Sequence, residues 1–112
     1  MIRELQTIKD VLVSVCENTY HYQAPEGSKL EKYIVWQEES EFARLMGDGD
    51  KMEVRLQGSI DLFTKTEYDP LTEQIEAAFK AAHIYIEHTW THFEEDTGYI
   101  HYEWIWRYDG TV

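Results

Sequence analysis

The stretch of sequence that decides the fold is MEVRLQGSIDL, residues 52–62. From Met52 onward, apolar residues and one glycine occupy every second position, and charged or polar residues occupy the positions between them. Successive side chains of a β-strand point to opposite faces of the sheet. The alternation therefore predicts a long strand with one apolar face and one solvated face.

Four other segments are rich in β-branched or aromatic residues. Lys32–Glu39 is in part apolar enough to be covered on both faces, which predicts a central strand. Ile84–Glu95 and Tyr99–Tyr108 flank a short glycine-containing connection, an arrangement typical of an antiparallel hairpin. Thr19–Tyr22 predicts a short strand before a loop that contains proline and glycine.

Two segments have the period of a helix. The first covers residues 2–16, where an apolar stripe follows steps of three and four: Ile2, Leu5, Ile8, Leu12 and Val15. The second begins after Asp69-Pro70, because the carboxylate can cap a helix and proline suits its first position, and it runs to about Ala82. We therefore predict one α+β domain spanning residues 1–112 in the order α-β-β-β-α-β-β. Its mainly antiparallel sheet has four or five strands with two helices packed on it.

Composition and charge restrict the possible function classes. A chain of 112 residues fits one domain, whose folding buries about 65% of the unfolded surface. The formal net charge of −12 repels phosphate backbones and anionic membranes, and it also suits a surface that DNA slides past. Cys16 has no second cysteine to pair with and is expected to be a buried thiol. No leader and no apolar run of about 18 residues is seen, so we expect synthesis in the cytosol.

No residue pattern for catalysis or metal binding stands out. The sequence has no nucleophile elbow or glycine-rich phosphate loop, and Asp48-Gly49-Asp50 lacks the ligand spacing of a calcium loop. His88 and His92 are four residues apart, which separates them by roughly 13 Å in a strand, too far to share one ion. His101 can lie across the hairpin from His92, yet no third ligand accompanies the pair. We expect no catalytic residue, cofactor or metal site.

The C-terminal hairpin is unusually aromatic. Alternate residues of its second strand share one face: Ile100, Tyr102, Trp104, Trp106 and Tyr108. We interpret this face as the surface on which the helices pack, because helices need an apolar surface to cover. The alternative is a ligand-stacking platform, and any part of the face left bare would be an interface.

Three motifs carry a resemblance to a known family. They are YIVW at residues 33–36, QGSIDLFTKTEYDP at 57–70 and EEDTGYIHYEW at 94–104. Together they resemble a family of small proteins encoded among the head-completion and tail genes of siphophages and prophages of Gram-positive bacteria. That family is similar in size and element order to tail-terminator and tail-to-head joining proteins. The latter form a hexameric ring on the last ring of the tail tube and offer a docking surface to the head connector.

The resemblance implies a non-enzymatic virion structural protein. Its partners would be further copies of itself, the major tail tube protein and the head–tail connector protein, first in the host cytoplasm and then in the virion tail. Residues 40–50 are predicted to be a mobile hairpin loop that, with the loop at 23–31, docks onto these partners. The candidate assembly residues are Phe42, Arg44, Leu45, Met46, Asp48 and Asp50.

Three other interpretations stay open at the level of sequence. The first is a head–tail connector adaptor or stopper protein, which belongs to the same gene neighbourhood. The second is a soluble ligand-binding module that uses the aromatic C-terminal hairpin as a stacking surface. The third is a small acidic protein that mimics nucleic acid.

Overall fold

The computed structural model describes residues 2–26, 29–45 and 52–111 of the chain. The predicted order α-β-β-β-α-β-β is confirmed. The elements are α1 (Ile2–Val15), β1 (Thr19–His21), β2 (Lys32–Leu45), β3 (Met52–Thr64), α2 (Leu71–Ala81), β4 (Tyr85–Phe93) and β5 (Ile100–Thr111).

The five strands form one sheet in the order β1-β2-β3-β5-β4. Three of the four strand pairs are antiparallel, and β1 lies parallel to β2. The sheet is therefore mixed, although mainly antiparallel as predicted. Parallel neighbours need a longer connection than a hairpin turn, and ten residues separate the end of β1 from the start of β2.

The core lies between one face of the sheet and the two helices. Ile8 and Leu12 of α1 and Ile75 and Phe79 of α2 are fully buried. They pack with the apolar side chains of the three long strands: Ile34, Trp36, Val54, Leu56, Ile60, Leu62, Trp104 and Trp106. The alternation that defined β3 is confirmed, since its apolar side chains from Val54 to Leu62 belong to this core.

The aromatic face of β5 is core and is not a ligand platform. Trp104 and Trp106 are 1% and 0% exposed. The Trp106 indole lies against Gly58, where an added Cβ would come within 2.6 Å of the ring and 2.0 Å of the Gln37 carbonyl oxygen. The indole N–H donates to the Ser59 carbonyl oxygen at 3.2 Å. Glycine in the apolar series of β3 is thus required by the close approach of two neighbouring strands.

The strand β2 is longer than predicted, and the predicted loop at 40–50 is wrong for its first half. Ser40–Leu45 continues β2 and pairs antiparallel with Met52–Gln57. A register shift between Glu38 and Ser40 lets the pairing resume. The composition of this segment indicated a loop. Composition carries no information about a partner strand, however, and β3 pairs with the whole of residues 40–45.

Asp69 lies at the start of the second helix, although Pro70 takes the cap position predicted for Asp69 and Leu71 is the first helical residue. Asp69 also binds two strands. Its Oδ1 accepts the backbone N–H of Leu71 at 2.9 Å, and its Oδ2 accepts the Thr64 hydroxyl at 2.7 Å and lies 2.9 Å from the Lys32 ammonium. The side chain is buried, which by itself raises the pKa of Asp69. The hydrogen bonds from Thr64, Leu71 and Lys32 outweigh burial and lower that pKa below its ordinary value.

Candidate assembly surface

The face of the sheet opposite the helices carries a row of rings. We call it the outer face; its central side chains are Tyr33, Asp61, Phe63, His101 and Glu103. Strand register places the rings side by side. Tyr33 of β2 lies directly opposite Phe63 of β3, and Phe63 lies directly opposite His101 of β5. Residues opposite one another in neighbouring strands place their side chains on the same face.

These rings are in direct contact across four strands. Tyr33 and Phe63 stack with their centroids 4.8 Å apart, and Phe63 stacks on His101 at 4.1 Å. Trp90 of β4 meets His101 edge-on at 4.6 Å. We call Tyr33, Phe63, His101 and Trp90 the aromatic row. Such pairs add to the stability of a sheet beyond the area they bury.

Tyr99 closes one end of the aromatic row. Its ring stands edge-on to Tyr33 at 5.5 Å and to Phe63 at 6.1 Å. Its hydroxyl donates to the carbonyl oxygen of Leu30, which ties the β4–β5 hairpin to the segment before β2. Burial raises the pKa of both Tyr33 and Tyr99.

Carboxylates lie beside the rings. Asp61 of β3 is directly opposite Glu103 of β5, and the Nε2 of His101 lies 2.7 Å from the Asp61 Oδ1. The other ring nitrogen of His101 is 3.5 Å from the Glu94 Oε2. Partial burial, followed by the charges of Asp61 and Glu39, raises the pKa of Glu103. The outer face therefore combines stacked rings with closely spaced negative charge.

A cleft of about 520 Å³ opens onto this part of the outer face. Its lining includes Tyr33, Phe63 and His101 of the aromatic row and the carboxylate-bearing Asp61. The segment at 22–25, which follows β1, also lines it. The lining thus combines aromatic rings with one carboxylate.

The strand β4 is an exposed edge of the sheet. It pairs on one side with β5 and is the last strand in the sheet order. Trp90 and Phe93 are 41% and 55% exposed. A bulge separates His88 from Trp90, and the Thr89 hydroxyl within it donates to the Glu103 carbonyl oxygen at 3.0 Å. Bulges are common on edge strands because they limit unwanted pairing with other chains.

The predicted assembly residues are only partly within the structure. Phe42, Arg44 and Leu45 are strand residues of β2, at positions paired with Arg55, Glu53 and Met52. The other three, Met46, Asp48 and Asp50, lie outside the described residues. Their joint role as an interface therefore stays a prediction.

His92 and Cys16 lie as the sequence predicted. His92 lies opposite His101 in the hairpin, as the sequence suggested. Within residues 2–26, 29–45 and 52–111, no three His, Cys, Asp or Glu side chains are grouped closely enough to hold one metal ion. Cys16 is buried, and burial raises the pKa of its thiol.

Neither helix in the described part of the chain has the length and apolar character to span a membrane.

Sequence reasoning missed the aromatic row, although one signal was present. Phe63 continues the polar series of β3, in phase with Ser59 and Asp61, and so interrupts an otherwise solvated face. The partners of Phe63 were beyond reach, because Tyr33 and His101 are brought beside it by register between strands far apart in the sequence.

Comparison with known proteins identifies a shared fold. No protein family and no curated protein matches the chain, so the resemblance to a family of tail-completion proteins stays a prediction. Among solved structures, a chain from the virion of a native gene transfer agent particle is similar, with a TM-score of 0.51 and 10% sequence identity. The similarity covers 94% of this chain and 92% of that chain. The class that the structure defines is thus an α+β domain with the fold of that virion chain.

Proposed function

We propose that this chain is a non-enzymatic structural subunit of a phage or phage-like virion. The observation that carries the proposal is the similarity in fold to a chain of a gene transfer agent virion over nearly the whole of both chains. Its finer form is a tail-terminator or tail-to-head joining subunit, which caps the tail tube as a ring and docks to the head connector. This form rests on the three resembling motifs.

The surfaces of the subunit support assembly into a ring. Side-to-side contacts that close by rotation need two different patches on each subunit. The outer face, with the aromatic row and acids, and the β4 edge, with Phe93 and an exposed strand edge, are two such patches. A net charge of −12 on each subunit would give the ring a DNA-repelling channel.

Electron microscopy of particles from a lysate in which this gene alone is disrupted tests the proposal. Tails of uncontrolled length are expected if the subunit terminates the tube. Tails of normal length lying apart from full heads would assign it instead to the joint, as a connector adaptor or stopper. Restoring the gene in trans should restore normal particles, and intact infectious particles without the gene would overturn the virion proposal.

A further inference from the structure

We propose that the outer-face cleft binds a basic segment of a partner protein, with one arginine side chain stacked on the rings and paired with Asp61. This inference rests on the cleft and its chemistry, and it goes beyond the virion role, because it names the chemistry of what the surface binds.

The rings supply a stacking surface of the right kind. Tyr33, Phe63 and Tyr99 all line the cleft and meet at centroid distances of 4.8 to 6.1 Å. Phe63 is already stacked against Tyr33 and His101, so Tyr33 and Tyr99 are the rings that an added cation would contact. A guanidinium group is planar and weakly hydrated, and it stacks on aromatic faces. Two cationic side chains of this chain already lie over rings. Lys65 Nζ is 5.0 Å from the centroid of the Tyr99 ring, and the Arg107 guanidinium is 4.9 Å from the centroid of the Tyr85 ring.

The carboxylates supply the charge that a cation would neutralise. Asp61 of β3 lies directly opposite Glu103 of the neighbouring strand β5. Glu94, at the β4–β5 connection, lies 3.5 Å from the Nδ1 of His101. The two arginines further along this face, Arg55 and Arg107, both bind Asp109, at 2.8 and 3.3 Å. Of these acids Asp61 lines the cleft, its Oδ1 lies 2.7 Å from His101 Nε2, and Glu103 lies directly opposite it in β5. A guanidinium bound at Asp61 would offset the repulsion between Asp61 and Glu103.

The charge of the chain makes a basic segment of a different protein a better match for the cleft than the acidic outer face of a second copy. Each chain carries a formal net charge of −12, so two acidic outer faces repel one another. A basic segment of a different protein is attracted by the same field, which also speeds its approach. Arginine is favoured over lysine because its planar fork can stack on a ring and form two hydrogen bonds to carboxylate at once.

Nuclear magnetic resonance titration of the full chain tests the inference. The probe is the capped tripeptide acetyl-Gly-Arg-Gly-amide at low ionic strength, and the control peptide has citrulline, a neutral analogue of the same shape, in place of arginine. We expect saturable shifts confined to the signals of Tyr33, Phe63, Tyr99 and His101 with the arginine peptide only. Equal shifts with citrulline, or shifts spread evenly over the acidic surface, would overturn the inference.

Two variants sharpen the test. Asp61→Asn should weaken binding about five-fold or more, because it removes the carboxylate while keeping the side chain's shape. The matched control is Asp10→Asn, an exposed acid of α1 on the helical side, which should leave the affinity unchanged. Equal losses in both variants would mean attraction by net charge alone and would refute a specific cleft. If Asp61→Asn does not fold, Glu103→Gln replaces it with the same expected direction.

The titration and the particle experiment can fail independently. The titration uses the purified chain and a peptide, and its result does not depend on any virion. A positive titration with normal particles would retain the cleft and reject the virion role. Disrupted particles together with a negative titration would support the virion role and reject the cleft.

Discussion

At the scale of single residues, Asp69 has the largest structural role among the charged side chains described above. Its carboxylate joins the start of α2 to the end of β3 through Thr64 and to the start of β2 through Lys32. It is only 2% exposed. A buried charge is tolerated when hydrogen bonds and an opposite charge surround it, and Asp69 has both.

Replacing Asp69 with asparagine tests this role. The side-chain oxygen of the asparagine could still accept the Leu71 N–H, so the change removes mainly the ion pair with Lys32 and the charge-assisted bond from Thr64. We expect Asp69→Asn to lower the free energy of unfolding by about 2 kcal/mol, measured by urea denaturation. The exposed control Asp10→Asn should change it by less than about 0.5 kcal/mol. A neutral Asp69→Asn would contradict the structural role.

The lowered pKa of Asp69 also determines how the stability of the fold changes at low pH. Burial raises this pKa, but the three hydrogen-bond donors outweigh burial, so the folded value lies below the ordinary 3.8. A group of this kind contributes stability above its unfolded pKa, and the contribution is lost as the pH falls through the folded pKa. The difference in stability between the wild-type chain and Asp69→Asn should therefore shrink below about pH 4.

At the scale of elements, the long β2–β3 pair differs most from expectation. Ser40–Leu45 was expected to be loop and is instead paired with β3. On its other side β2 has a short neighbour, since β1 pairs only with residues 34–36. The backbone groups of Ser40–Leu45 that point away from β3 thus have no strand of the described chain beside them.

Hydrogen exchange at single-residue resolution tests this arrangement. Amides of residues 40–45 that point toward β3 should exchange slowly, and those that point away should exchange fast, because only the former are in a ladder. The amide of Glu26, an exposed residue in the loop after β1, serves as the fast-exchanging reference. Uniformly fast exchange across residues 40–45 would show that this segment is a loop after all.

At the scale of the whole molecule, charge opposes self-association. The chain is elongated, with extents of 53 × 26 × 22 Å, and carries a formal net charge of −12. Mutual repulsion between like-charged subunits weakens with salt, since the screening length falls from about 10 Å at 0.1 M to about 3 Å at 1 M. Contacts between the β4 edge and a neighbouring subunit should therefore form more readily at high ionic strength.

Analytical ultracentrifugation of the purified chain measures this effect. At one protein concentration, we expect the average mass to rise between 0.1 M and 1 M salt, as repulsion is screened. Phe93→Lys should reduce the rise, because it adds a solvated charge beside the edge strand. The control Glu73→Lys, on the exposed side of α2, should not reduce it. A mass that falls with added salt would contradict the expectation.

Much of the architecture was determined by the sequence itself, because the signals are local. The alternation of residues 52–62, the Asp69-Pro70 helix start and the apolar stripes of the two helices predicted the element order and the core face. The identification of Trp104 and Trp106 as core followed from the same reasoning, since alternate strand residues share a face that helices must cover.

The tertiary structure alone decided the features that depend on register and on neighbours. The parallel pairing of β1, the extension of β2 to Leu45 and the contacts of Phe63 with Tyr33 and His101 all join segments far apart along the chain. Periodicity specifies which face a residue takes in its own strand, but not which strand lies beside it or at what offset. The outer-face cleft exists because those offsets place three rings and a carboxylate side by side.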